Sequence, residues 1–386
     1  MSTTTHEPER IAALDGVRGF AILFVLVMHS LFVAPLYGLD PMADPYARVA
    51  FLGWSGVDVF FVLSGFLITG ILVRTKGSPR YFRNFYMRRS LRIFPLYYLV
   101  IVLLLFVLPR PPATAGDQVA HLLYYQNLRY AFVHGEIIDP ARHITWSLAI
   151  EEQFYLLWPA LVWLVSTRVL RVVCVAMIVG AIGLRVWLVD AGFDGTHFLT
   201  PCRLDTLAAG ALFAVIPRPG AWLGWLATPL GLAGLVTTGF VSGSSIPATP
   251  AQQSWGLLSA LLLGVGMLSL ARSSRVLQPL FGLWPLRSLG KYSYCIYLTH
   301  MLVVEQLTRL AIPHAAAPAS WPEWLRQPVA LLSAGLSSMP HALSPVWATV
   351  AFTALVVVCS WLLAWISWNL FERWFLALKR YFPSGA

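Results

Sequence analysis

Arg18 and His29 stand eleven residues apart in one apolar run, LDGVRGFAILFVLVMHS (14–30), which opens on a further charge, Asp15. At 1.5 Å of rise per helical residue the two side chains sit roughly 16 Å apart along an axis. One helix would then hold a guanidinium near one membrane face and an imidazole in the middle or opposite half. Similar groups recur in other apolar runs. Asp58 lies in GWSGVDVFFVLSGF (53–66), Glu151 and Glu152 in WSLAIEEQFYLLWPALVWLV (146–165), and Arg203 and Asp205 in CRLDTLAAG (202–210). Lys291 and His300 bracket GKYSYCIYLTH (290–300), and Arg88, Arg89 and Arg92 fall in YFRNFYMRRSLRIFP (81–95). An ion at a helix centre costs about 2.5–3.5 kcal/mol, while a Leu or Phe returns only about 0.3–0.6. Groups this costly are expected to line a pathway or a site.

Sorted by depth, they form two clusters. Arg18, Lys291 and the Arg88/Arg89/Arg92 run are inner and cationic, with Arg88 and Arg92 expected on one helix face (i, i+4). His29, Asp58, Glu151, Glu152, Arg203, Asp205 and His300 are mid-depth to outer, with Trp146 and Ser147 beside them. Guanidinium groups grip phosphate bidentately. An imidazole beside a carboxylate suits general-base work near neutral pH. Together the clusters describe acyl transfer from a phosphate-bearing cytoplasmic donor, acyl-CoA, to a hydroxyl reached from the other side. His29 is the expected base, aided by Asp58 or one of the adjacent glutamates, which point about 100° apart. Arg18, Arg88, Arg89, Arg92 and Lys291 are the expected donor-binding residues. Trp146, Ser147, Arg203, Asp205 and His300 are expected on the acceptor side.

The elements that must position these groups follow from composition. The 386-residue chain is 58% hydrophobic and 11% charged, with mean hydropathy +0.69; a soluble domain is about 25% charged. The chain therefore reads as an all-α polytopic membrane protein. Ten runs approach the roughly 20 residues that cross a bilayer: near 17–37, 51–73, 93–110, 145–165, 171–190, 203–216, 221–240, 254–272, 289–311 and 344–372. With both termini cytoplasmic, 19 of the 27 Lys and Arg fall on the inner side, as the positive-inside bias requires. That placement also turns the net charge of +10 into an orientation signal and excludes nucleic acid. The longer outer connections are about 38–50, 111–144 and 312–343, with a polar one at 242–253. The first run lacks a small-residue cleavage site and is expected to stay as a helix. Cys174, Cys202, Cys295 and Cys359 have no paired spacing and read as packing residues, without disulfide or metal.

These motifs in this order resemble the acyltransferase-3 family of bacterial integral membrane O-acyltransferases. The resemblance rests on LDGVRG (14–19) with the Arg18–His29 spacing, GVDVFFVLSGFLI (56–68), RRSLRIFPLYY (88–98), WSLAIEEQFYLLWP (146–159), CRLDTLAAG (202–210), GKYSYCIYLTH (290–300) and FERW (371–374). It implies ten spans in the inner membrane, acylation of surface sugars, and essential roles for the residues at His29, Arg18, Arg89 and Arg92. One transmembrane acyltransferase domain is expected over 1–386, without the esterase-like C-terminal domain many members carry. Acyl-CoA, acetyl-CoA first, is expected as co-substrate with no tightly bound cofactor. The expected acceptor is a carbohydrate or glycolipid such as lipopolysaccharide O-antigen or an exopolysaccharide, and the outer connections 111–144 and 312–343 are expected to select it. Membrane lipid is the other partner, and homo-oligomerisation stays open. The competing reading is a carrier of a sugar or anion, against which stands the lack of two related halves. A scaffold without chemistry would gain nothing from buried His and Glu.

Overall fold

The computed structural model describes residues 12–40, 44–108, 110–133, 139–217, 219–241, 249–311 and 323–383, and no strand occurs among them. Long helices occupy all ten expected runs: α1 (Ala12–Ser30), α2 (Gly56–Thr75), α3 (Tyr81–Val102), α4 (Trp146–Leu164), α5 (Thr167–Asp190), α6 (Thr200–Val215), α7 (Ala221–Val241), α8 (Leu257–Ser273), α9 (Trp284–Ala311) and, after α10 (Glu323–Ala342), α11 (Pro345–Ser367). Among the described residues seven helical stretches are long and apolar enough to cross a membrane, and α4, α6 and α9 are not among them. The reason is chemical. Helix α4 carries Glu151 and Glu152, α6 has only 16 residues and holds Arg203 and Asp205, and α9 carries Arg287 and Lys291. The seven helices make this a multi-pass membrane protein.

Three of the expected connections contain unforeseen structure, the first being 38–50, where a short helix runs over Pro45–Phe51. The stretch expected as an outer loop at 312–343 is helical over Glu323–Ala342, and 111–144 folds into three short helices, Ala115–Leu122, Gln126–Phe132 and Pro140–His143. Asp139 caps the last of these through Ala141 N–H and is gripped by Arg110. Residues 242–248 of the expected polar connection lie outside the described residues.

Helix directions follow from which residues meet. Gly19 lies against Leu286 and Gly290 against Asp15, while further along His29 meets His300, so α1 and α9 run parallel. Gly65 sits on Leu207 and Gly210 on Val62, with backbone so close that an added Cβ would stand 1.9 Å from a carbonyl oxygen in each case. Small residues let membrane helices approach in this way, and here they seat α2 against α6. Helix α4 runs beside α2 in the same direction, since Phe61 meets Trp146, Ser64 meets Glu151 and Thr69 meets Trp158. Lys76 donates to the carbonyls of Val162 (2.8 Å) and Val165 (2.6 Å) and so closes the end of α4. Helix α8 is central and α5 peripheral: 78% of the α8 apolar window is buried, against 17% for α5.

Candidate functional site

A cavity of about 100 Å³ opens between α1, α2, α3, α4 and α9. Arg18, Arg89 and Arg92 line one side, Ser64, Ser147 and Glu151 another, and Phe60, Tyr155, Tyr294 and Tyr297 supply aromatic wall. Arg18 pairs one turn back with Asp15 at 3.6 Å and keeps a quarter of its side chain exposed. Arg89 lies over the Tyr155 ring at 5.5 Å. Glu151 accepts a hydrogen bond from Ser64, which fixes it on the cavity wall. Three cations thus share one pocket with aromatic and hydroxyl groups.

The expected division by depth is corrected here. Glu151 shares the cavity with the arginines and does not join His29 in an outer group. The adjacent glutamates do separate as helix geometry demands, since Glu151 lines the cavity and Glu152 does not. Arg89 and Arg92 face inward (i, i+3), while Arg88 turns away and donates to the carbonyls of Phe382 (2.9 Å) and Lys379 (3.4 Å). Arg88 therefore ties α3 to the turn at Lys379–Phe382 and does not line the cavity. Lys291 does not line it either, with its ammonium over the rings of Tyr292 (4.6 Å) and Trp368 (4.7 Å).

Asp58, Arg203 and Asp205 form a different structure. Arg203 binds Asp58 at 2.6 Å and Asp205 binds Arg185 of α5 at 2.9 Å, all four side chains being sealed from solvent. Arg203 also lies near the rings of Phe61 and Trp146, and Trp146 packs on His197 at 4.5 Å. Asp58 is thus engaged as an ion-pair partner and does not stand as the carboxylate behind His29. Arg185 belonged to this cluster unannounced. Its place on α5 next to α6 is a tertiary fact that local pattern does not carry.

His29 and His300 come together. Their rings lie 4.8 Å apart, and His29 Nδ1 is 3.2 Å from His300 Nε2. His29 is not among the cavity-lining residues. Tyr297 stands between: it lines the cavity, its ring is 5.8 Å from that of His300, and its hydroxyl donates to Ile144 O (2.9 Å) while meeting Ser147 Oγ at 2.6 Å. His143, outside the spans and given no role from sequence, lies half-buried close by. Burial, then the neighbouring His29 and His121, pulls its imidazole down to about 4. No group of His, Cys, Asp and Glu suited to a metal ion occurs among the described residues, and the four cysteines are free thiols.

Apolar helices that gather a cationic cavity, a buried carboxylate and a histidine pair define a membrane protein with an internal polar site. The chain belongs to the acyltransferase-3 family, whose acyltransferase domain matches residues 11–365. It is 31% identical to the peptidoglycan O-acetyltransferase OatA of Listeria monocytogenes over 338 residues, 79% of this chain and 51% of that protein. The O-acetyltransferase OatA of Staphylococcus aureus is 28% identical over 78% of this chain and 51% of its own length. A putative peptidoglycan O-acetyltransferase of Bacillus subtilis, YrhL, is 36% identical over 40% of this chain and 24% of its own length. The chain spans about half the length of the first two. No solved structure matches it.

Proposed function

We propose that this protein is an inner-membrane O-acyltransferase that carries an acetyl group from cytoplasmic acetyl-CoA to a sugar hydroxyl of a cell-envelope polysaccharide. The relatives named as peptidoglycan O-acetyltransferases turn the choice of acceptor towards peptidoglycan and away from lipopolysaccharide. The observation that carries the reading is the single cavity holding Arg18, Arg89 and Arg92, closed at one wall by Tyr297 beside the His29–His300 pair. The donor's phosphates would rest on the arginines, and its thin pantetheine arm would run between Phe60, Tyr155 and Tyr294. His29 would remove the acceptor's proton as its oxygen attacks the thioester carbonyl, and the thiolate leaves. Tyr297 must yield, or the acceptor must meet the thioester at its edge, for the two halves to react. Ten spans, counting α4, α6 and α9, fit the parallel runs of α1 with α9 and of α2 with α4 and α6.

The test is acetate released by mild alkali from the wall polysaccharide of a host lacking its own O-acetyltransferase. Expression of this chain should restore the acetate, and His29→Ala should remove it at least about 100-fold while the protein still inserts. An active, well-expressed His29→Ala protein would remove the base from this account. Transport of sugar by protein in vesicles without acetyl-CoA would replace the account altogether.

A further inference from the structure

The hydrogen bonds at the two histidines fix their tautomers. A carbonyl oxygen only accepts, so the nitrogen bonded to it must carry hydrogen. His300 Nδ1 meets the carbonyls of Tyr297 (2.8 Å) and Ile296 (3.2 Å) and is therefore N–H. In the neutral ring its Nε2 then holds the lone pair. His29 Nδ1 meets the carbonyl of Val25 at 2.9 Å and is likewise N–H. The single Nδ1–H of His29 is therefore shared between Val25 O at 2.9 Å and His300 Nε2 at 3.2 Å, and the lone pair of neutral His29 sits on Nε2.

We infer that His300 is the positioning residue of the reaction, doing with a neutral imidazole what a carboxylate does in a Ser-His-Asp triad. Together with the Val25 carbonyl it holds His29 in the tautomer whose Nε2 is basic, and its own lone pair shares the charge once that nitrogen is protonated. The step balances as follows. The acceptor O–H proton passes to His29 Nε2, the oxygen bonds to the thioester carbon, the C–S bond breaks, and the thiolate takes the proton back from His29. The Nδ1 proton of His29 remains shared with His300 throughout. A neutral partner suits this depth: His300 is fully buried, where an ionised carboxylate is costly to insert. It also explains why Asp58 and Glu151 are each engaged with other groups, Arg203 and Ser64. Neither is required behind the base.

This inference rests on the base role proposed for His29, and its test separates the two. Purified protein in nanodiscs is given acetyl-CoA with N-acetylglucosamine tetramer as acceptor, and CoA release is followed. His300→Phe, which keeps the ring and loses the acceptor nitrogen, should lower kcat about 100-fold with the KM for acetyl-CoA unchanged. His300→Gln, whose amide oxygen can accept from His29, should recover about a tenth or more of the wild-type rate. Equal loss in both variants, loss in KM alone, or full activity of His300→Phe would overturn the role of His300 while leaving His29→Ala to report on the base. Wild-type protein that releases no CoA, or His29→Ala that releases it normally, would bring down the underlying reading and this inference with it.

Discussion

Two charged clusters lie inside this bundle, and they are built from the same residue types to opposite effect. On α2, α5 and α6, Arg203 with Asp58 and Arg185 with Asp205 close on each other with no exposed surface. On α1, α3 and α4, Arg18, Arg89 and Arg92 outnumber the single cavity carboxylate, Glu151, and stand around open volume. A cluster whose charges cancel among themselves serves the fold. One whose arginines face a cavity keeps them open to a ligand, as the proposed donor site requires. The same residue type is a rivet in one place and faces open volume in the other, and the difference lies in whether carboxylates seal the guanidinium off from that volume.

That contrast can be broken at either end. The largest effect belongs to the closed cluster. Arg203→Ala leaves Asp58 buried and unpaired, and should cost about 3–5 kcal/mol, read as lost yield and a lower melting temperature in detergent. Joint replacement by Arg203→Met and Asp58→Leu should recover much of it, because neutral packing can equal a buried pair. A stable Arg203→Ala protein with only its substrate affinity altered would move Arg203 into the site. The open cluster should answer differently. Arg89→Ala removes charge-assisted bonds to donor phosphate worth roughly 1.5–3 kcal/mol, so the KM for acetyl-CoA should rise about 10–150-fold with the melting temperature nearly unchanged. A melting loss without a KM change would mark Arg89 as a rivet too.

The smallest effect probes an ion pair at the bundle's edge, outside the spans. Burial pushes the Asp139 carboxyl up, but its hydrogen bond to Arg110 and that charge outweigh burial and leave it below the ordinary carboxylate range. A depressed carboxyl stabilises the fold above the unfolded value near about 3.9 and ceases to as pH falls through the folded value. Arg110→Met should therefore lower the melting temperature near neutral pH, and the gap to wild type should close on acidification to about pH 3. Glu305, which also meets Arg110 at 2.7 Å, would add to the closing. A gap constant across that range would show that Arg110 acts by packing.

How much of this could be read from the chain depended on whether depth or azimuth was at issue. Hydropathy placed every long helix but α10. That helix follows residues 312–322, which lie outside the described residues, and carries Glu323 and Arg326 at its start, so its sequence reads as a polar connection. Depth along a helix put Arg18 near Arg89 and Arg92, and His29 level with His300. Rotation about the axis was not accessible. Arg88 and Arg89 are neighbours in sequence, yet one ties down the C-terminal turn and the other lines the cavity. Asp58 looked like a natural aid to His29 because both are polar and outer. Only the seating of α2 on α6 shows that its carboxylate belongs to Arg203. Tyr297 went unremarked because a tyrosine in an apolar helix carries no local mark of standing between two parts of a site.

The glycine seam between α1 and α9 has a last consequence. At Gly19 and Gly290 the two backbones touch with no side chain interposed, ten residues before the imidazole on each helix, or roughly 15 Å away. Rods clamped at one end keep their free ends in register only as well as the clamp allows. The alignment of one ring's hydrogen with the other's lone pair is therefore dictated from the glycine end of the two helices, several turns away from the rings themselves.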